Sequence, residues 1–183
     1  MIESALSMLP VTGRLVRLRD CTLADAEMLD EWNRNMDVGS FNDFGPRQPV
    51  PRDVLATGPL RNERNGSLIV ERLPGGEPVG TIGWRLVTVY GPSPTSDALQ
   101  IGIELVPQAR GQGLGADAQQ LVADYLFAST QVNRVEASTD IDNVAEIRAL
   151  EKAGYRREGI VRGAQFRGGT HHDLVVYARL RSD

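Results

Sequence analysis

Cysteine is nearly absent from this 183-residue chain: Cys21 stands alone, so no internal disulfide can form and no cluster of soft metal ligands exists. A chain that builds no disulfides suits a reducing compartment, and the reading is a cytoplasmic protein. Lysine is equally scarce, with Lys152 alone beside nineteen arginines, a bias that genome base composition explains as well as function does. Long apolar runs are missing too. Leu174 to Ala178, the longest near the C-terminus, falls far short of the ~20 residues that span a bilayer. Met1 to Ser4 bring no basic stretch ahead of an apolar one, so neither an export signal nor a membrane partner is expected. The two histidines, His171 and His172, adjoin a single Asp173, a poor ligand set, and no metal is expected.

What is present describes an ordinary folded domain. Hydrophobic residues make up 41% of the chain and the formal net charge is −4, enough apolar matter to build a core without a staple. At roughly 100 to 200 residues per domain, residues 1–183 read as one domain. Ten basic residues precede Ala98 and ten follow, against 13 and 11 acidic ones. Neither half forms the basic stripe that nucleic acid requires, so no direct nucleic-acid binding is expected.

Patterning divides the chain. Arg14 to Arg19 alternates like a short strand. Thr22 then reads as an N-cap with Asp25 three residues on, followed by Leu23, Ala26, Leu29 and Trp32 at helical spacing, in a helix ending near Met36. Asp37 to Pro51 is a long Gly-, Asn-, Asp- and Pro-bearing loop, of a length that tends to be functional or mobile. Phe41, Asp43 and Phe44 could line a pocket there, or simply anchor an irregular connector. A second helix is expected over Arg52 to Asn65. Ser67 to Arg72, Val79 to Val89 and Ala98 to Val106 are β-rich runs separated by Pro- and Gly-bearing turns, the punctuation of an antiparallel meander. A helix with Leu114, Ala118, Leu121, Val122, Tyr125 and Leu126 on its apolar face follows, then a strand at Arg134 to Ser138, a helix at Val144 to Ala153, and closing strands at Arg157 to Phe166 and Thr170 to Leu180. The fold class is mixed α/β (α+β), with a mostly antiparallel twisted sheet of six or seven strands and about four helices.

The most informative residues are Arg110-Gly111-Gln112-Gly113-Leu114-Gly115, between a strand and the amphipathic helix. Glycines let the backbone turn tightly and approach a ligand, and the unpaired N–H groups at a helix start, with the positive end of its dipole, make an anion site. A tight bend alone would use the same glycines. No Gly-Lys-Ser/Thr follows, and no acidic residue ends a second strand about 20 positions on, so neither a nucleoside triphosphate nor a dinucleotide fits the pattern.

Arg110-x-x-Gly113-x-Gly115 resembles the Arg/Gln-x-x-Gly-x-Gly/Ala motif of the GNAT acetyltransferase superfamily. The wider text is similar to the RimJ/RimL N-terminal acetyltransferases. That likeness is carried by Ile101-Gly102, Leu105-x-Pro107, Asn133-Arg134-Val135-Glu136-Ala137, Asn143, Leu150-Glu151-Lys152-x-Gly154-Tyr155, Glu158-Gly159 and His172-Asp173. It is close over residues 101–180 and rests on element order before that. The resemblance implies a V-shaped cleft for acetyl-CoA as co-substrate, with acceptor-side elements mainly in 14–65 and the coenzyme A core in 98–180. It also implies that the backbone at Leu105 and Val106 pairs with pantetheine, that Arg110, Gly111, Gln112, Gly113, Leu114 and Gly115 wrap the pyrophosphate, that Asn143 bonds the cofactor arm, and that Lys152 meets a phosphate. A solvated helix-end cation explains Lys152 equally well. The implied reaction is acetyl transfer to a primary amine, on a small molecule, an antibiotic or a peptide N-terminus; a homodimer stays open.

Acyl transfer to an amine needs the amine neutral, a donor for the oxyanion and a proton for the departing thiolate. The resemblance puts the oxyanion donor at a backbone N–H near Leu105. Many relatives carry a Tyr seven residues after the motif Asn, where this chain has Leu150. In the Rim-type branch a Ser often stands three residues after that Asn and a Glu follows in the later strand; here those positions hold Glu146 and Gln165. Glu146 suits a capping box with Asn143, and Gln165 can orient an amine but cannot be a base. Glu104, in the apolar Ile101 to Leu105 run, is the other carboxylate whose partial burial would suit a base, although a solvent-facing strand position accounts for it equally. Of His171 and His172, at most one can reach the site, since adjacent strand residues face opposite ways. Trp32, Phe41, Asp43 and Trp84 are candidates to shape the acceptor pocket. Two alternatives remain open: a coenzyme A-binding regulatory module with weak or no turnover, and an enzyme using a longer acyl-CoA such as succinyl-CoA.

Overall fold

Eight strands pair in the order β1-β2-β3-β4-β5-β6-β8-β7 in a computed structural model that describes residues 9–35, 40–41, 47–88 and 90–183. They are β1 (Val11–Thr12), β2 (Val16–Asp20), β3 (Asn65–Arg72), β4 (Glu77–Val87), β5 (Ala98–Leu105), β6 (Arg134–Asp140), β7 (Arg156–Arg167) and β8 (Thr170–Leu180). The expected six or seven strands fall one short because β1 has two residues, too few for an alternation to register. Among the described residues four α-helices accompany them: α1 (Ala26–Arg34), α2 (Arg52–Thr57), α3 (Leu114–Ser129) and α4 (Val144–Lys152). The expected second helix stops eight residues early. Gly58 at φ +152° followed by Pro59 breaks it, and Asn65 already belongs to β3.

Side chains alternate across the strands, so cross-strand partners share a face. Leu68, Val70, Ile82, Trp84, Leu99, Ile101 and Val135 pack under Ala118, Val122, Tyr125 and Leu126 of α3. On the opposite face Ile69, Cys21, Ala26, Leu29 and Leu55 form a smaller cluster that seats α1 and α2. Thr81, Gly83 and Arg85 of β4, with their partners Glu104, Gly102 and Gln100 of β5, lie on this second face, where the lining is polar or absent.

All neighbouring strands are antiparallel except β5 and β6. That parallel pair is short: Leu99 faces Val135 and Gln100 faces Glu136. Beyond them β5 continues to Leu105 and β6 to Asp140 with no further pairing between them, while β6 stays paired to β8 through Asp140. A wedge therefore opens in the middle of the sheet, its walls the free edges of β5 and β6. The glycine-rich turn stands at its mouth, where α3 begins.

Candidate active site

Gly113 is the N-cap of α3 and adopts φ +82°, with Gly111 at φ +73° just before it. Only glycine takes the left-handed region without strain, so this turn requires both. The first intrahelical bond runs from Asp117 N–H to Gly113 O at 3.2 Å. The backbone N–H groups of Leu114, Gly115 and Ala116 meet no acceptor among the described residues, and point to where an anion would sit. Gly111, Gly113 and Gly115 line a cavity of about 530 Å³ together with Arg110, Arg148 and Lys152. Main-chain donors, a helix start and three cations fit a diphosphate-bearing cofactor.

The arm of such a cofactor would run along β5. Val106 N–H is already held by Val79 O at 2.9 Å, and Val106 O accepts from Ala109 N–H at 2.9 Å. Both groups of Val106 are thus committed within the fold. Backbone groups of successive strand residues point to opposite edges, so those of Leu105 are directed away from β4 and into the wedge. Arg110 Nε donates to Leu105 O at 2.9 Å, which leaves Leu105 N–H as the donor at this point.

Asn143 caps α4: its Oδ1 accepts from Glu146 N–H at 3.4 Å and its Nδ2 donates to Thr139 Oγ1 at 2.9 Å. Half of the capping box is therefore made. The reciprocal half is not, because Asn143 N–H goes to Asp140 O at 2.9 Å. The Glu146 carboxyl is released to face the wedge, lining both the cavity at the glycine turn and a second cavity of about 530 Å³ on its far side. Burial pushes this carboxyl up to about 7, and the neighbouring Gln119 amide pulls it back only in part. Gln119 itself is fully buried on α3, with the Glu146 carboxyl as the neighbour of its side-chain amide.

The second cavity brings together Phe41, Gln165 and the edge of Trp84 with Ser67, Thr81, Gly83, Gln100, Gly102 and Ser138. Trp84 is chiefly a core residue, 4% exposed, its indole N–H bonded to Asn62 O at 3.1 Å. Phe41 lies under the Arg167 guanidinium, 5.2 Å from its ring centre. Arg167 is ion-paired to the buried Asp140. His172 joins this cluster, its Nδ1 3.1 Å from Asp140 and its Nε2 3.1 Å from Arg167 O, and so braces the β7–β8 hairpin. His171 packs edge-on against Phe166.

A third cavity, of about 630 Å³, lies between α1 and the sheet and holds Trp32, Glu104, Arg47 and Arg110. Glu104 is ion-paired with Arg47, which also reaches Asn33 Oδ1 at 3.4 Å. The third cavity shares Ser67 and Thr81 with the second, and Leu105 and Arg110 with the cavity at the glycine turn. Asp43 and Phe44 lie outside the described residues. Sequence reading passes over Gln119, Arg47 and Arg167. For Gln119 a signal exists: it falls at the 115, 119, 122, 126 spacing of the buried face of α3, where a polar residue is out of place.

Residues 15–156 match the acetyltransferase (GNAT) domain family. An uncharacterized N-acetyltransferase of Bacillus subtilis, YoaA, is 27% identical over 177 residues, covering 93% of this chain and 97% of that protein. The probable N-acetyltransferase YjcK of the same organism is 37% identical over 83 residues, 45% of this chain and 46% of its own length. Among solved structures, the ribosomal-protein-S5-alanine acetyltransferase of Vibrio fischeri superposes with a TM-score of 0.76 at 15% identity, covering 96% of this chain and 98% of that one. RimL, the ribosomal L7/L12 α-N-protein acetyltransferase solved with coenzyme A, does so with a TM-score of 0.75 at 18% identity, covering 97% and 100%. With a wedge, a glycine turn and a family match that spans most of its length, the chain belongs to the GNAT acetyltransferases, enzymes for which acetyl-CoA is the co-substrate.

Proposed function

We propose that the protein transfers the acetyl group of acetyl-CoA to a primary amine by direct attack within a ternary complex. The amine would sit in the second cavity and the thioester in the wedge. As the nitrogen attacks the thioester carbon, a C–N bond forms and the C–S bond breaks, with Leu105 N–H donating to the oxyanion. Glu146, starting ionised, takes a proton from the attacking amine and returns it to the departing sulfur. One observation carries this reading: a single carboxyl, buried enough to titrate near neutrality, lines both the cofactor wedge and the space beyond it. Gln165 and Phe41 would orient the acceptor, and Lys152, Arg148 and Arg110 would meet phosphates.

Solved structural neighbours include a spermidine N-acetyltransferase of Vibrio cholerae with coenzyme A and spermine, as well as RimL. Small amines and peptide N-termini are accordingly the acceptor classes to test. We also infer a cytoplasmic enzyme: Cys21 is a free, buried thiol, and no helix among the described residues is long and apolar enough to cross a membrane. A thiol-release assay with acetyl-CoA and a panel of peptides, polyamines and aminoglycosides tests the reading, with product mass distinguishing acetyl from succinyl transfer. Acceptor-dependent release is expected. Tight acetyl-CoA binding with no acceptor ever consumed would favour a regulatory module instead.

A further inference from the structure

Glycine inside a strand weakens it, through backbone entropy and the missing side chain. Three glycines of the central strands are there because nothing else fits. A Cβ on Gly66 would come within 2.3 Å of Trp84 Cζ2, one on Gly80 within 2.1 Å of Glu104 O, and one on Gly83 within 2.7 Å of Gly66 O. Gly102 is different. Its φ is not positive, a Cβ built on it meets no atom of the described residues within 4 Å, and it is exposed in the middle of β5. Neither backbone conformation nor packing among the described residues requires glycine at this position.

Its surroundings supply a reason. Gly102 pairs with Gly83 across β4 and β5, between the Arg85–Gln100 row and the Thr81–Glu104 row on the same face. Rows on one face stand about 6.8 Å apart, so the glycine pair leaves a side-chain-free slot between two walls of polar side chains. Arg85 and Gln100 lock one wall, with Arg85 Nε donating to Gln100 Oε1 at 2.9 Å. The slot opens into the second cavity, beside Ser138 and Gln165. The Gln165 Oε1 is buried without a hydrogen-bond partner among the described residues. A glycine that the fold does not demand, flooring a polar slot with an unsatisfied acceptor beside it, marks a close approach by a ligand.

We propose that Gly102 is the specificity-determining position of the acceptor site, keeping the sheet surface bare so that the part of the acceptor next to its reacting nitrogen lies flat across β4 and β5. This rests on the amine-acetylation reading and adds where the acceptor runs and what limits its bulk. The occupant is a primary amine with hydrogen-bonding groups along its first few atoms, placed to donate to Gln165 Oε1. A side chain at position 102 takes its space without touching the glycine turn or α3.

The test is a graded series, Gly102→Ala, Gly102→Val and Gly102→Leu, measured for thermal stability, coenzyme A affinity by calorimetry, and kcat/KM with acetyl-CoA against the peptide, polyamine and aminoglycoside panel. Tm should hold or rise, since β-branched residues suit a strand. Coenzyme A affinity should stay within twofold. Acceptor kcat/KM should fall stepwise with side-chain volume, at least tenfold by Val, mainly through KM and soonest for the most branched acceptors. Folded Gly102→Val and Gly102→Ala variants with wild-type kcat/KM on every acceptor would overturn the proposal, as would a parallel loss of coenzyme A affinity, which would assign the slot to the cofactor. Wild-type protein that consumes no amine at all would overturn both this and the underlying reading; wild-type turnover with an indifferent series overturns this one alone.

Discussion

The Gln119 amide of α3 lies beside the Glu146 carboxyl of α4, close enough to favour its charged form, and no basic group among the described residues offsets the burial of that carboxyl. Titration near 7 follows from this pairing of a strong desolvation effect with a weak neutral neighbour. A shuttle that begins as carboxylate is active only when ionised, so kcat should rise with pH through about 7 and then level. Glu146→Gln should remove that inflection and lower kcat by ~10²–10⁴, the usual range for a lost acid–base group. A pH–rate profile of both proteins decides it, and an inflection that persists in the variant eliminates Glu146. Stability carries a second signature. With its folded value above the ordinary value for Glu, the native state holds this proton more tightly than the unfolded chain does. That contribution is present below the ordinary Glu range and is lost as pH rises to about 7. Relative to wild type, the Gln variant should therefore gain Tm between pH 5 and pH 8.

Gly115 separates helix stability from cofactor space. It is the second residue of α3, its φ is not positive, and an added Cβ would make ordinary contacts, 3.7 Å from Leu105 Cδ1 and 3.9 Å from Gln119 Nε2. Gly115→Ala should raise stability by about 0.5–1 kcal/mol through helix propensity while retaining coenzyme A binding. Gly115→Leu should fill the wedge and lower affinity at least 100-fold with the far-UV spectrum unchanged. Gly113→Val is a less clean probe than the motif suggests, since φ +82° makes any side chain there strain the turn. Equal coenzyme A affinity in the Leu variant would move the phosphate site elsewhere.

Asp117 ties the N-terminal strands to the helix that carries the glycine turn. Its Oδ2 accepts from Leu15 N–H at 2.7 Å and Val16 N–H at 3.0 Å, and its Oδ1 from Arg14 N–H at 3.3 Å. Gly13 passes so close that a Cβ would stand 2.7 Å from Oδ2. Asp117→Ala leaves those donors unmet and should cost about 2–3 kcal/mol, a Tm drop of about 5–10 °C for a chain of this length. A drop under 2 °C by calorimetry would show that water replaces the carboxylate without penalty.

Glu104 is held by Arg47 at a partly exposed position. If its work is that ion pair, Glu104→Gln and Arg47→Gln should each leave the pH–rate profile in place, alter acceptor KM by less than about tenfold, and destabilise the fold by about 1 kcal/mol or less. A Glu104→Gln variant whose loss of turnover is greatest at low pH would restore Glu104 as the base.

Local rules carried the element-level reading. Thr22 and Asp25 meet as expected, the Asp25 carboxylate accepting from both the Thr22 N–H and its hydroxyl at 2.8 Å. Gly154 ends α4 at φ +85°, with Tyr155 N–H closing on Leu150 O at 3.0 Å. Caps, turn glycines and alternation act over a few residues, so they are written in consecutive letters. The expected helix at 52–65 overran because helical composition persists past Gly58, while β3 draws Asn65 into pairing with Arg85.

From the sequence by itself came the mixed α/β class, the strand-turn-helix whose first backbone amides stay unpaired, and the list of carboxylates from which a base could be drawn. Tertiary structure alone gave each of them its neighbours. It parted β5 from β6 after a single pair of rows, gave Arg47 to Glu104 across 57 residues, and put Gln119 beside Glu146 from a different helix. Burial and charge pairing set what a carboxyl can do at neutral pH, and both are fixed by neighbours that are distant in the chain and adjacent only once the sheet has formed.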